Sequence, residues 1–227
     1  MSTLYIVATP IGNLKDVSER AIEVLQSVDF IACEDTRTSG VLLKHLDIQA
    51  STFAFHQHNE HQKVKHLINI LDGRQNVAVI SDAGMPGISD PGFLAVRAAH
   101  QAGHSVSVIP GPDAATTALV ASGLPCDKYV FEGFMPPKKG RQKQLKNLVH
   151  EERSVVLYES PYRLKKLLCE LHKYMGNHRM VAVCRELTKK FEEVIRGPLK
   201  SVRDRFEIRD KIKGEIVVVI APESYSE

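Results

Sequence analysis

Acids, bases and cations fall together at a few short stretches of this sequence. "CEDTR" offers Glu34, Asp35 and Arg37, "HQHNE" offers His56 and Asn59, and "RELTK" offers Arg185, Glu186 and Lys189. Each follows an apolar run, so each belongs to a loop at the end of a strand. Carboxylates and imidazoles accept or deliver protons, and guanidinium and ammonium groups hold phosphate or a developing oxyanion. The plainer reading is that Glu34 and Arg37 pair to brace the rim. His56, His58 and His61 put three imidazoles within six residues, which could ligate zinc. No fourth ligand has a fixed spacing, so polar surface is the better reading and no metal is expected.

A second group of residues stands out for its glycines and prolines. "SDAGMPGISDPG", residues 81–92, follows the apolar run at 77–80 and contains Gly84, Gly87, Gly92, Pro86 and Pro91. Glycine admits a close neighbour to the main chain and proline fixes φ, so a stiff, open loop is expected. "TPIGNL" and "PGPDAA" repeat this chemistry after two other strands, and helices that begin after such loops can host partial negative charge. Asp82 and Asp90 read equally as caps of the loop and the following helix or as ligand contacts.

The elements that carry these loops alternate. Strands are expected at residues 4–8, 30–33, 52–55, 77–80 and 105–109. Helices are expected at 16–27, 39–46, 61–71, 92–102 and 114–121. This βαβ rhythm predicts a parallel sheet, whose ligands bind beyond the carboxyl ends of the strands. After residue 121 the pattern changes. Strands near 129–132, 154–158, 180–185 and 215–220, a hairpin strand at 193–197, and helices at 141–149 and 161–174 make a second unit. The expected division is an N-terminal α/β domain at 1–117 and a C-terminal α/β domain at 118–227.

Composition bounds the rest. With 227 residues, 43% hydrophobic and 25% charged, the chain is ordinary for a soluble globular protein. The apolar run at 216–221 is far shorter than the roughly 20 residues of a membrane helix. Met1-Ser2-Thr3 leads directly into a strand. Cys33, Cys126, Cys169 and Cys184 have no C-x-x-C spacing and are expected as free thiols, so a cytoplasmic location is expected. The net charge of +3 is local, because residues 133–150 contain no acid and carry Lys138, Lys139, Arg141, Lys143 and Lys146. Such a loop suits a polyanion, although a solvated charge run would look the same. The chain has no Trp and is 6% aromatic, which argues for phosphate contacts and shape over extensive base stacking.

Taken in order, "ATPIGNL", "ACEDTR", "SDAGMPGISDPG", "PGPDAA", "YESPYR" and "RELTKKFE" resemble the ribosomal RNA small-subunit methyltransferase I family over nearly the whole chain. The resemblance implies the two-domain tetrapyrrole-methylase-like fold, a parallel-sheet domain and a mixed-sheet domain with S-adenosylmethionine (SAM) in the cleft between them, and a homodimer. It implies 2′-O-methylation of a cytidine ribose in the decoding centre of 16S rRNA, within the small ribosomal subunit. Carried onto this sequence, it marks Pro10, Gly12, Gly84, Pro86, Ile88, Ser89, Pro110, Asp113, Ala114, Tyr158 and Leu187 as cofactor contacts. Glu34 or Asp35 would accept or orient the hydroxyl proton, with Arg37, Arg185 and Lys189 holding phosphate or oxyanion. Lys138, Lys139, Arg141, Lys143, His56 and Asn59 would hold RNA. Met85 and Asp113 depart from the family's usual Thr and small residue. The chain lacks the G-x-G-x-x-G of Rossmann-type enzymes after its first strand. Two rivals are a methylase of tetrapyrrole precursors on the same fold, against which "EDTR" and "HQHNE" speak, and a non-catalytic RNA-binding module, which has no need of the Pro/Gly loops.

Overall fold

The computed structural model describes residues 2–227. The chain divides into two compact units, Met1–Asp113 and Ala114–Glu227. The boundary expected after residue 117 falls inside a helix, Ala114–Ser122, because this small-residue helix packs on the sheet of the second unit.

In the first unit, strands β1 (Thr3–Val7), β2 (Phe30–Cys33), β3 (Ser51–Ala54), β4 (Val77–Ile80) and β5 (Ser105–Ile109) form one parallel sheet in the order β3-β2-β4-β1-β5. All four residues of β4 are buried, as a central parallel strand covered on both faces requires. Alternation then sorts the core into two layers. Leu4, Ile6, Val77 and Val79 pack with α3 (Glu60–Asp72) and α4 (Phe93–Gln101) on one face. Val7, Ile31, Ala78 and Ile80 pack with α1 (Glu19–Ser27) and α2 (Thr36–His45) on the other.

The helices start where side chains satisfy their first N–H groups. Ser18 accepts the Ala21 N–H at 3.1 Å, and Asp35 accepts the Arg37 N–H at 2.9 Å. At α4 the cap comes from outside the loop. Glu60 Oε1 accepts the N–H groups of Gly92 (3.1 Å) and Leu94 (3.2 Å), so neither Asp82 nor Asp90 caps this helix.

The second unit carries a mixed sheet of β6 (Tyr129–Phe134), β7 (Ser154–Glu159), β8 (Met180–Arg185), β9 (Glu193–Pro198) and β10 (Ile216–Ile220) in the order β6-β7-β10-β8-β9. Only the β6·β7 pair is parallel. One face is covered by α5 (Ala114–Ser122). The other carries the main core, where Leu145, Leu167, Leu171, Val202 and Phe206 of α6 (Arg141–Val149), α7 (Leu164–Met175) and α8 (Leu199–Glu207) meet Leu157, Val183 and Val218. Helix α8 was not among the sequence expectations: six of its nine residues are polar or charged and only Leu199, Val202 and Phe206 are buried. All four cysteines are free, and burial pushes the Cys33 thiol up to about 11. Among the described residues no helix is long and apolar enough to cross a membrane.

Candidate active site

The sheet order makes β1 and β4 neighbours, yet β1 connects toward β2 on one side and β4 toward β5 on the other. The two connections also leave to opposite faces of the sheet, β1 through α1 and β4 through α4, which makes this a topological switch point of an open parallel sheet. The loops after these strands are tied together there. Thr9 and Gly84 exchange backbone hydrogen bonds at 2.9 and 3.0 Å, Thr9 Oγ1 donates to the Ser81 carbonyl at 3.1 Å, and Ser81 Oγ donates to the Gly84 carbonyl at 3.1 Å. The third loop follows β5, the other neighbour of β1. Pro10, Gly12, Gly84, Pro86, Ile88, Ser89, Pro110 and Asp113 therefore all stand at the carboxyl ends of three adjacent strands. Pro10, Gly84 and Pro86 are buried walls, while Gly12, Ile88, Ser89 and Pro110 are exposed.

Part of the glycine content of residues 81–92 answers to the loop itself. Gly84 has φ +87° and would set a Cβ 3.3 Å from Ile11 Cγ2. Gly92 has φ +144° and would set one 3.0 Å from the Gly87 nitrogen. The close partner at Gly92 is the loop's own returning backbone. Ser89, at φ 62°, holds a left-handed conformation without being glycine, a strain that functional loops store.

Beside these loops the ends of β2 and β4 and the loop at 81–92 bring four carboxylates together. Glu34 Oε2 accepts the Asp82 N–H at 3.2 Å, and Asp82 Oδ1 accepts the Asp35 N–H at 3.1 Å, a reciprocal lock between the two loops. Burial raises Glu34 and Asp82 above the ordinary carboxylate range. Asp90 goes further. Burial first, then the charges of Glu34 and Asp82, push it up to about 7 against an opposing hydrogen bond from Ser81. Asp35 behaves in the opposite way, held at about 2 by hydrogen bonds from the Arg37 side chain and backbone. Arg37, exposed, closes on Asp35 at 2.7 Å. The bracing pair is thus Asp35 with Arg37, and Glu34 keeps the proton-accepting character. Asp90 was missed as an acid–base candidate because an Asp before Pro-Gly reads as a turn or cap; only tertiary neighbours raise it.

His56 donates its N–H to Asn59 Oδ1 at 2.8 Å, and Asn59 Nδ2 donates to the Ala54 carbonyl at 3.2 Å. Both ends of the Asn59 amide serve its own turn, so it shapes the loop instead of reaching outward. His56 Nδ1 is buried without a hydrogen-bond partner among the described residues, and its ring lies near His58 at 6.0 Å between centroids. Among the described residues no group of three or more His, Cys, Asp or Glu is placed to hold a metal ion.

In the second unit the expected cations divide. Arg141 is buried: Nε donates to Glu170 at 2.7 Å, NH1 to the Pro136 carbonyl at 3.2 Å, and NH2 lies 3.5 Å from the fully buried Glu159. It is an internal tie that holds the base of the basic loop, and the expectation that it grips RNA is corrected on that ground. Lys138, Lys139 and Lys143 are exposed and enter no ion pair among the described residues. Arg185 is engaged by Glu193 (3.1 Å) and the Lys213 carbonyl (3.3 Å), and Lys189 by Glu186 (3.2 Å) and Glu215 (3.1 Å). Both are braces of the β8–β9 turn. Leu187 is buried in that turn between two left-handed non-glycine residues, Glu186 at φ 53° and Thr188 at φ 66°. For a β-branched residue such a φ is a true outlier, and the Thr188 hydroxyl is buried without a partner among the described residues. Tyr158 packs edge-on against Phe131 (5.0 Å) and Phe134 (5.5 Å).

Residues 3–203 match the family described as Tetrapyrrole (Corrin/Porphyrin) Methylases. The chain is 48% identical over 219 residues, 96% of its length and 78% of the relative, to "Ribosomal RNA small subunit methyltransferase I" of Pasteurella multocida. It is 47% identical to the protein of that name in Synechocystis, over 97% of this chain and 79% of the relative. In fold it is similar to the crystal structure of uroporphyrin-III-C-methyltransferase from Thermus thermophilus, with a TM-score of 0.67, 18% identity, and coverage of 98% of this chain and 93% of that one. Near one half identity across almost the entire chain, with the parallel and mixed sheets in place, this chain belongs to the tetrapyrrole methylase family and, within it, to the ribosomal RNA small subunit methyltransferase I group.

Proposed function

We propose that this methyltransferase uses S-adenosylmethionine to methylate the ribose 2′-hydroxyl of a cytidine in small-subunit ribosomal RNA, as a cytoplasmic homodimer. The observation that carries the reading is the junction of the β1, β4 and β5 loops at the switch point, where buried prolines and the exposed Ile88 side chain offer apolar walls beside open backbone. A pocket for a nucleoside cofactor needs that mixture. Pro10, Gly12, Gly84, Pro86, Ile88, Ser89, Pro110 and Asp113, which line the ends of three adjacent strands, would hold it. When bound, the cofactor supplies a methyl group on a positively charged sulfur.

The ribose oxygen must lose its proton as it takes up the methyl carbon, and positioning supplies much of the acceleration. Glu34, raised above the ordinary carboxylate range by burial and coupled to Asp90, is the carboxylate suited to take or orient that proton. Asp35 and Arg37 keep the loop in shape. Lys138, Lys139 and Lys143 would hold phosphates. A tetrapyrrole substrate is the second reading. It rests on an 18% identical fold neighbour, against 45–48% identity to relatives named for ribosomal RNA.

The test is tritiated methyl transfer to unmodified small subunits at saturating SAM. The wild type is expected to label them. Glu34→Gln is expected to lower the single-turnover rate with RNA binding preserved, and Asp35→Asn to act mainly through stability. Absence of transfer by the wild type to any small-subunit preparation would overturn the reading.

A further inference from the structure

In the second unit's sheet, β6, β7 and β8 run in one direction and β10 against them, so their three carboxyl ends share one edge with the start of β10. Large aromatic side chains stand exposed along that edge. Phe134 closes β6 and is 57% exposed, Tyr162 lies in the turn after β7 at 87%, and Phe191 lies in the β8–β9 turn at 64%. The one other exposed aromatic among the described residues of this unit, Tyr129, begins β6 at the opposite edge. With strands about 4.8 Å apart, the first, second and fourth positions of the sheet span roughly 14 Å.

Cations are interleaved with the rings. Lys138, Lys139 and Lys143 follow Phe134 and are exposed, and Lys190 lies 5.7 Å from the centroid of Phe191. Scattered exposed apolar residues are ordinary, and Val41, Val120 and Ile208 are of that kind. Three flat rings on one sheet edge among lysines are a different pattern, the one that captures single-stranded nucleic acid by stacking bases and neutralising phosphates.

We propose that Phe134, Tyr162 and Phe191 form a base-stacking edge for single-stranded RNA. This rests on the RNA-methyltransferase reading above and gives that substrate a specific surface. It also revises the expectation from composition, because few aromatics suffice when they are placed together.

The experiment uses the full chain and a 12-nucleotide oligocytidylate carrying one 2-aminopurine, whose fluorescence is quenched on stacking. Wild type is expected to bind and quench. Tyr162→Ala and Phe191→Ala should each weaken binding by roughly 5- to 100-fold and relieve quenching, while the slope of log affinity against log salt stays unchanged. Tyr162→Phe should keep both. Binding and quenching unchanged in both alanine variants would overturn the stacking edge, as would failure of the wild type to bind the oligomer. If the alanine variants instead shift the protein's sedimentation with RNA binding intact, the edge is an interface between copies and the proposal fails. Methyl transfer to small subunits by the wild type, measured in parallel, separates these failures from failure of the reading on which the proposal rests.

Discussion

Replacing Asp90 by Asn should make the protein more stable at pH 8 and leave it nearly unchanged at pH 4. The carboxyl titrates at about 7 in the folded chain against an ordinary 3.8, with burial and the charges of Glu34 and Asp82 as causes. Between these values the folded state binds more protons than the unfolded one, so stability falls as pH rises from about 4 to 7 and is level above. Each tenfold change in proton affinity is worth about 1.4 kcal/mol, which sets a ceiling of ~4 kcal/mol. The carboxyl is only half-buried, so screening by solvent leaves about 1–2 kcal/mol. In a chain of this size that corresponds to a rise in Tm of roughly 3–8 °C. Asn keeps the size of the side chain, and the Ser81 hydroxyl keeps the Gly84 carbonyl as its acceptor, so little else is lost. The assay is thermal unfolding of wild type and Asp90→Asn from pH 4 to 8. A difference that does not grow with pH, or an Asn variant less stable at pH 8, would refute the reasoning that this carboxylate is strained by its neighbours.

The other expectations concern single ties. Arg141→Met should cost about 3 kcal/mol in urea unfolding, since it leaves Glu159 buried with partners, Arg163 and the Ser160 N–H, on its other oxygen only. Glu60→Ala should cost about 1–2 kcal/mol by uncapping α4, with Glu60→Gln recovering part of it. Arg37→Ala should let Asp35 rise from about 2 toward 3.8, read by carbon-detected NMR titration. Alanine at Lys138, Lys139 and Lys143 together should reduce the salt slope of RNA binding by about 2, at roughly 0.7 per lost phosphate contact on a single strand, with thermal stability unchanged.

The regular elements were legible because their physics is local. An apolar, β-branched run of four residues such as 77–80, between Asn76 and Ser81, is too short for a helix and reads as a buried strand, and the leucines of α7 mark one face at helical spacing. Helix α8 was not, because three buried residues among charges leave too little apolar face to register above a loop.

The sequence by itself determined the order of strands and helices, the loops that end at the carboxyl edge, and, through its motifs, the family. Those properties depend on neighbours in the chain. Tertiary structure alone decided which charges are spent and which remain. Arg141 and Lys143 are alike on paper, yet one is sealed between two glutamates and the other faces water. Asp35 and Asp90 carry the same carboxyl, yet Arg37 holds one at about 2 and desolvation beside like charges lifts the other to about 7. The Asp35–Arg37 pair lies within one turn, but the burial of Asp90 and the charge of Glu34 beside it come from across the fold, and no local pattern encodes them.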